Sequence, residues 1–186
     1  MKSLSFVSSN YNKYLEVQSV LSNYGINVEF ASFSLIEIQS DSIKDIALDK
    51  CERAYREILK PVIVEDDGLF IDRLNGFPGQ YSSYVFKTIG NMGILKLLEN
   101  STFRNAYFRS VFAFNDGKNS TSFVGETKGK ISYKITEGGW GYDPIFIPDS
   151  LDVTFGILQI ANKKRFFSHR TKALNRFVEW YYKVIL

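Results

Sequence analysis

The segment Val62-Ile63-Val64-Glu65-Asp66-Asp67-Gly68-Leu69 constrains this chain more than any other stretch. A β-branched apolar run has the character of a buried strand, and this one ends in three adjacent carboxylates and a glycine. Like charges held so close repel one another and lose solvation where a sheet half-buries them. A solvated acidic turn relieves that cost by staying in water. A divalent cation relieves it by sitting among the oxygens, the ligand type magnesium prefers. The segment alone supports both readings, and the second points towards phosphate chemistry.

The chain has 186 residues, of which 45% are hydrophobic, so one globular domain over 1–186 is expected. Sixteen Phe, eleven Tyr and two Trp predict a core and cleft walls rich in rings. The net charge of +3 is mild and the basic residues are interleaved with acids, which argues against a nucleic-acid binder. Cys51 stands alone, so an internal disulfide is excluded and zinc spacing is absent, as suits a reducing, cytoplasmic setting. Leu4–Val7 is too short for a signal-peptide core, and no apolar run reaches membrane-spanning length.

Periodicity predicts a strand over Leu4–Ser8 and a helix over Tyr11–Tyr24 stopped by Gly25. A strand over Ile26–Phe33 follows, then a helix capped by Asp41 with Ile43, Ile46, Ala47, Ala54 and Ile58 on its apolar face. Pro61 closes that helix. Short strands are expected at Val62–Val64 and Leu69–Ile71, with loop chemistry at Asn75-Gly76-Phe77-Pro78-Gly79. A short helix over Ile94–Leu98 precedes a strand over Tyr107–Phe114, which turns at Asn115-Asp116-Gly117. Return strands are expected at Ser122–Val124 and Gly129–Ile135. A last helix starts near Ser168, with Leu174, Phe177, Val178 and Tyr181 facing inward. Strands interleaved with helices, plus a hairpin, predict an α/β fold on a mixed sheet.

Four constellations carry candidate chemistry. Ser8-Ser9-Asn10-Tyr11-Asn12-Lys13 opens a helix, where free N–H groups and the helix dipole suit an anion; taken alone, the piece reads more readily as a plain cap at Ser9 or Asn10 with Lys13 in solvent. Glu37 lies between two isoleucines, facing a cleft or water, and Lys50 has the character of a surface lysine. Gly138-Gly139-Trp140-Gly141-Tyr142-Asp143-Pro144 leaves an indole face open for a flat base or forms a glycine-rich turn around a packed ring. Lys164 and Ser168-His169-Arg170 bring donors to the start of the last helix, with Ser168 as a possible cap.

In order and spacing, these pieces together with Gly76-Phe77-Pro78-Gly79 resemble the inosine triphosphate pyrophosphatase family along nearly the whole chain. Archaeal dITP/XTP pyrophosphatases are the most similar, through Gly79-Gln80-Tyr81-Ser82-Ser83-Tyr84-Val85 and Gly141 to Pro148. The resemblance implies an elongated, strongly twisted mixed sheet flanked by helices, with two lobes around a cleft, and a homodimer. It implies hydrolysis of ITP, dITP and XTP to the monophosphate and pyrophosphate, with Mg²⁺. Ser8, Ser9, Asn10, Tyr11, Asn12 and Lys13 would cradle the triphosphate, with Lys50 adding a cation. Glu37 and Asp66 would hold the metal, and Asp66 would also activate water. Asp67 would contact substrate. Trp140 would stack on the purine, Gly141 and Tyr142 would also contact substrate, and Asp143, Lys164, His169 and Arg170 would surround the base edge. A catalytically weak nucleotide sensor, or a pyrophosphatase with another base preference, shares these expectations.

The chain departs from the family pattern at several positions. Ser8-Ser9-Asn10 replaces Thr-Gly-Asn, and Asp67 stands where Ser or Thr is usual. Trp140 replaces the commoner Phe, Gly156-Ile157 replaces Ala-Glu, and Ser83 replaces a basic residue.

Overall fold

The computed structural model describes residues 4–33 and 35–185. Its strands are β1 (Leu4–Val7), β2 (Val28–Ala31), β3 (Val62–Ile71), β4 (Pro78–Gly79), β5 (Asn105–Asn115), β6 (Ser120–Ile131) and β7 (Phe146–Pro148). The α-helices are α1 (Tyr11–Leu21), α2 (Ile43–Ile58), α3 (Ser82–Thr88), α4 (Gly90–Leu97), α5 (Phe155–Ile160) and α6 (His169–Val184). The sheet order is β2-β1-β3-β5-β6-β7, with β4 paired to β3. β1 runs parallel to β2 and β3, while β3–β4 and β6–β7 are antiparallel, so the sheet is mixed as expected. Among the described residues, no helix is long and apolar enough to cross a membrane.

The chain forms two compact units. The first comprises 1–66, 110–125 and 170–186, and the second 67–109 and 126–169. The first is built on Phe6, Val17, Leu21, Ile63, Phe112, Phe114, Leu174 and Phe177, all buried in one apolar cluster. Spacings of three and four put Val17, Val20 and Leu21 on the inner face of α1. Gly25 ends that segment at φ 64°, a left-handed turn that costs glycine little. The second unit packs Leu69, Ile71, Ile94, Phe108, Phe146 and Phe155 into its own cluster.

Several expected boundaries shift. The cap of α2 is Ser42, whose Oγ accepts the Asp45 N–H at 3.2 Å, and Asp41 lies outside the helix. That helix ends at Leu59 in the left-handed region, before Pro61 acts. The separate strands at Val62–Val64 and Leu69–Ile71 are one ten-residue strand running through the carboxylates. The return strands likewise merge into β6, which stops at Ile131 rather than reaching Ile135. Helices α3 and α5 and strand β7 were not foreseen.

Candidate functional site

In the first unit, β1 delivers the chain into α1 through Ser8, Ser9 and Asn10. Ser8 is buried, and its Oγ accepts the Asn10 N–H at 3.1 Å. Asn10 is the helix cap, its Oδ1 accepting the Asn12 N–H at 3.0 Å. Ser9, Tyr11 and Asn12 face solvent at this helix start. Lys13, one turn in, points back to β3, with Nζ 3.6 Å from Glu65 Oε2.

The acidic segment of β3 is divided by role. Glu65 is only 2% exposed, and its carboxylate receives Arg170 Nε at 2.8 and 2.9 Å and the Ser110 hydroxyl at 2.6 Å. Arg170, 1% exposed, also pairs with Glu16 through Nη1. A buried acid is tolerable when both its charge and its lone pairs are met, and here they are. Asp66 looks elsewhere: its Oδ2 lies 3.7 Å from Lys50 Nζ. The same ammonium hydrogen-bonds Glu37 Oε1, so carboxylates from two distant stretches converge on one cation. Lys50 reaches both from the third turn of α2, a placement that its surface-lysine character in the sequence did not suggest.

In the second unit, two glycines shape the Trp140 loop. Gly139 has φ 70°, and a Cβ there would stand 2.5 Å from the Asp143 Cβ. Its absence lets the Asp143 carboxylate accept the Trp140 N–H at 3.1 Å. Gly156, in the place of the usual Ala, lies where a Cβ would meet the Glu137 carbonyl oxygen at 2.4 Å. The substitution therefore lets α5 approach this loop. Asp143 Oδ2 also receives Lys164 Nζ at 2.7 Å, both side chains being buried. That ammonium lies 5.2 Å from the Trp140 ring centroid and 5.8 Å from that of Phe155, within cation–π range.

Tyr142 is a prop for the same loop. Its hydroxyl donates to the Ser82 carbonyl at 3.1 Å, its ring meets Phe86 edge-on, and burial pushes its phenol well above the ordinary range. The Gly141 carbonyl accepts a hydrogen bond from the Asn91 side chain at 3.1 Å. His169, 2% exposed, stacks flat on Phe108 at 4.6 Å with an interplanar angle of 8°. Asp67 Oδ2 lies 3.8 Å from its Nε2.

Among the expected site residues, the structure therefore groups Asn10, Lys13, Glu37, Lys50, Asp66 and Arg170 in the first unit and Asp67, Trp140, Asp143, Lys164 and His169 in the second. Arg170, assigned by resemblance to the base edge, lies with Glu65 and Glu16 in this structure. Glu65, Ser110, Glu16, Phe108 and Phe155 were missed as site-building residues. Local sequence carries no signal for the Glu65 network, because Arg170 is 105 residues away. Phe108 was legible only as one ring in the β5 alternation.

Comparison with known proteins agrees with this architecture. The Ham1 family profile matches residues 4–180. A dITP/XTP pyrophosphatase of Methanopyrus kandleri is 49% identical over 95% of this chain and 94% of its own length. One from Hyperthermus butylicus is 44% identical, covering 93% of this chain and 91% of its own. The Ham1 protein structure from Staphylococcus aureus superposes with a TM-score of 0.83 at 28% identity, over 98% of this chain and 99% of that one. A structure of a HAM1 protein from Coxiella burnetii gives the same score at 26% identity, over 99% and 100%. An α/β protein on a mixed sheet, matched along nearly its whole length by Ham1 proteins, is thus the class defined. The chain belongs to the Ham1 family.

Proposed function

We infer that this chain hydrolyses deaminated purine nucleoside triphosphates, of the ITP, dITP and XTP type, to the monophosphate and pyrophosphate. The observation that carries this reading is the shared Lys50 ammonium between Glu37 and Asp66. Similarity to relatives named dITP/XTP pyrophosphatases supports the substrate class.

Among the described residues, no group of three or more His, Cys, Asp or Glu side chains is placed to hold a metal ion. Two carboxylates that already share a cation nonetheless fit magnesium, which commonly takes one or two protein carboxylates and completes its shell with water and phosphate. Glu37 and Asp66 would hold it, and it would offset charge on the phosphate oxygens.

The chain's own residues have separate tasks in this proposal. The start of α1, with Lys13 and Lys50, binds the triphosphate and offsets the charge that builds on the leaving fragment. A water oxygen bonds to one phosphorus of the α–β anhydride, and Asp66 takes the water's proton. The bridging oxygen departs on the other fragment with the bonding electron pair. Trp140 stacks on the purine. Lys164 and His169 present donors to the 6-carbonyl, where adenine carries an amino group. Each donor left facing that amino group costs about 1–3 kcal/mol, which disfavours ATP. A single domain, a homodimer and a cytoplasmic location complete the proposal, supported by the family resemblance and a lone buried cysteine.

The test is pyrophosphate release from ITP, dITP, XTP, GTP, ATP and modified pyrimidine triphosphates, with Mg²⁺ or with chelator. Metal-dependent turnover selective for ITP, dITP and XTP is expected. Saturable ITP binding with no pyrophosphate release would replace the enzyme by a sensor. Running the reaction in ¹⁸O-labelled water locates the attack: label in the monophosphate marks α, and label in pyrophosphate marks β.

A further inference from the structure

Asp67 is the acid for which the proposed phosphate chemistry has no use. Successive residues of a strand project to opposite faces, and its neighbour Asp66 faces Lys50 while Asp67 lies against His169. His169 is enclosed by rings: Phe108 covers one face at 4.6 Å, and Phe155 lies at 6.4 Å with an interplanar angle of 22°. That enclosure fixes the plane of the imidazole and withholds water from it.

The charges around this ring can be assigned. Asp67 approaches from β3, 3.8 Å from Nε2. Lys164 stands against the Phe155 ring, with its ammonium matched by Asp143 at 2.7 Å. Along α6, Arg170 follows His169 and is held by Glu65 and Glu16, and Lys172 comes two residues later. Asp67 is therefore a carboxylate that faces the imidazole. An anion within about 4–6 Å favours the protonated ring, and an apolar enclosure opposes it. A protonated imidazole donates from both nitrogens, whereas a neutral one keeps an acceptor on one of them.

We propose that Asp67 is a specificity-determining residue acting through His169, holding the imidazole as the double N–H donor that a 6-oxo purine requires. This rests on the base-reading role inferred above for His169. It explains why an acid is tolerable where Ser or Thr is usual: the charge is matched by His169 and is directed away from Asp66. A neutral His169 would accept a hydrogen bond from adenine's amino group and so erode discrimination.

The test uses the chain's only histidine, whose ring gives a single pair of ¹⁵N resonances. In the full-length protein at neutral pH, the wild type is expected to show both ring nitrogens protonated. Asp67→Ser and the isosteric Asp67→Asn are expected to move both resonances towards the neutral pattern. The same variants should lower the ratio of kcat/KM for ITP over ATP about tenfold, the scale of one lost donor. Asp67→Glu should recover much of both readouts, which a purely structural role would not predict. A neutral imidazole in the wild type, or resonances unmoved in the folded Asn variant, overturns the pairing. Moved resonances with an unchanged ratio overturn the specificity role. Failure of the underlying functional reading is distinct, because the wild type itself would then release no pyrophosphate from ITP.

Discussion

Replacing Glu65 by Gln tests whether this buried carboxylate is held by charge pairing inside the first unit. The substitution preserves shape and one carbonyl oxygen, so it chiefly removes the negative charge. Glu65 is 2% exposed and its carboxylate meets Arg170 at 2.8 and 2.9 Å, Ser110 at 2.6 Å and Lys13 at 3.6 Å. Breaking a buried pair by removing one partner typically costs about 3–5 kcal/mol, because the other charge stays buried. Arg170 keeps Glu16, and the Gln oxygen still accepts one hydrogen bond, so the lower end, about 3 kcal/mol, applies. For a chain of this size each kcal/mol moves Tm by about 2–4 °C, giving a fall of about 6–12 °C. Urea unfolding followed by circular dichroism should show a lower midpoint with an unchanged slope. A loss below about 1 kcal/mol would refute the assignment, since exposed ion pairs contribute no more than that.

Three further outcomes are expected. Trp140→Ala should raise KM for ITP by a factor corresponding to about 1–3 kcal/mol of lost stacking, and an unchanged KM would remove the indole as the base platform. Cys51 is fully buried in α2 and burial raises its thiol far above the ordinary range, so it stays neutral and shielded through mildly alkaline pH. Iodoacetamide should label it only as fast as the protein unfolds, and rapid labelling of native protein would contradict this. At the β5–β6 turn, partial burial alone would raise the Asp116 carboxyl, but N–H donors at Asn119 (2.7 Å) and Lys118 (2.9 Å) outweigh it and lower the folded value. Its contribution is therefore present above the unfolded carboxylate range and lost as pH falls through the lower folded value. Asp116→Asn should flatten that acid limb of the stability curve, and an unaltered limb would rule the contribution out.

Patterns that depend on neighbours a few residues apart were legible in the sequence. The Gly25 stop, the Asn115-Asp116-Gly117 turn and the inner face of α6 all appear as expected. Helix α3 was illegible because it buries only Ser82 and Val85, which leaves no 3.6-residue stripe. Strand β3 looks like two strands in the sequence because the acids break its apolar run. Their tolerance depends on partners supplied by α1, α2, β5 and α6, which no local window contains. The same holds for Asp67, whose meaning changes once His169 is found beside it.

The most direct measurement of the central claim is Mg²⁺-dependent pyrophosphate release from ITP by Asp66→Asn beside wild type, with thermal unfolding confirming that both are folded. Loss of turnover by at least about a hundredfold is expected if Asp66 takes the water's proton and holds the cation with Glu37. Wild-type turnover in the folded Asn variant would contradict the account.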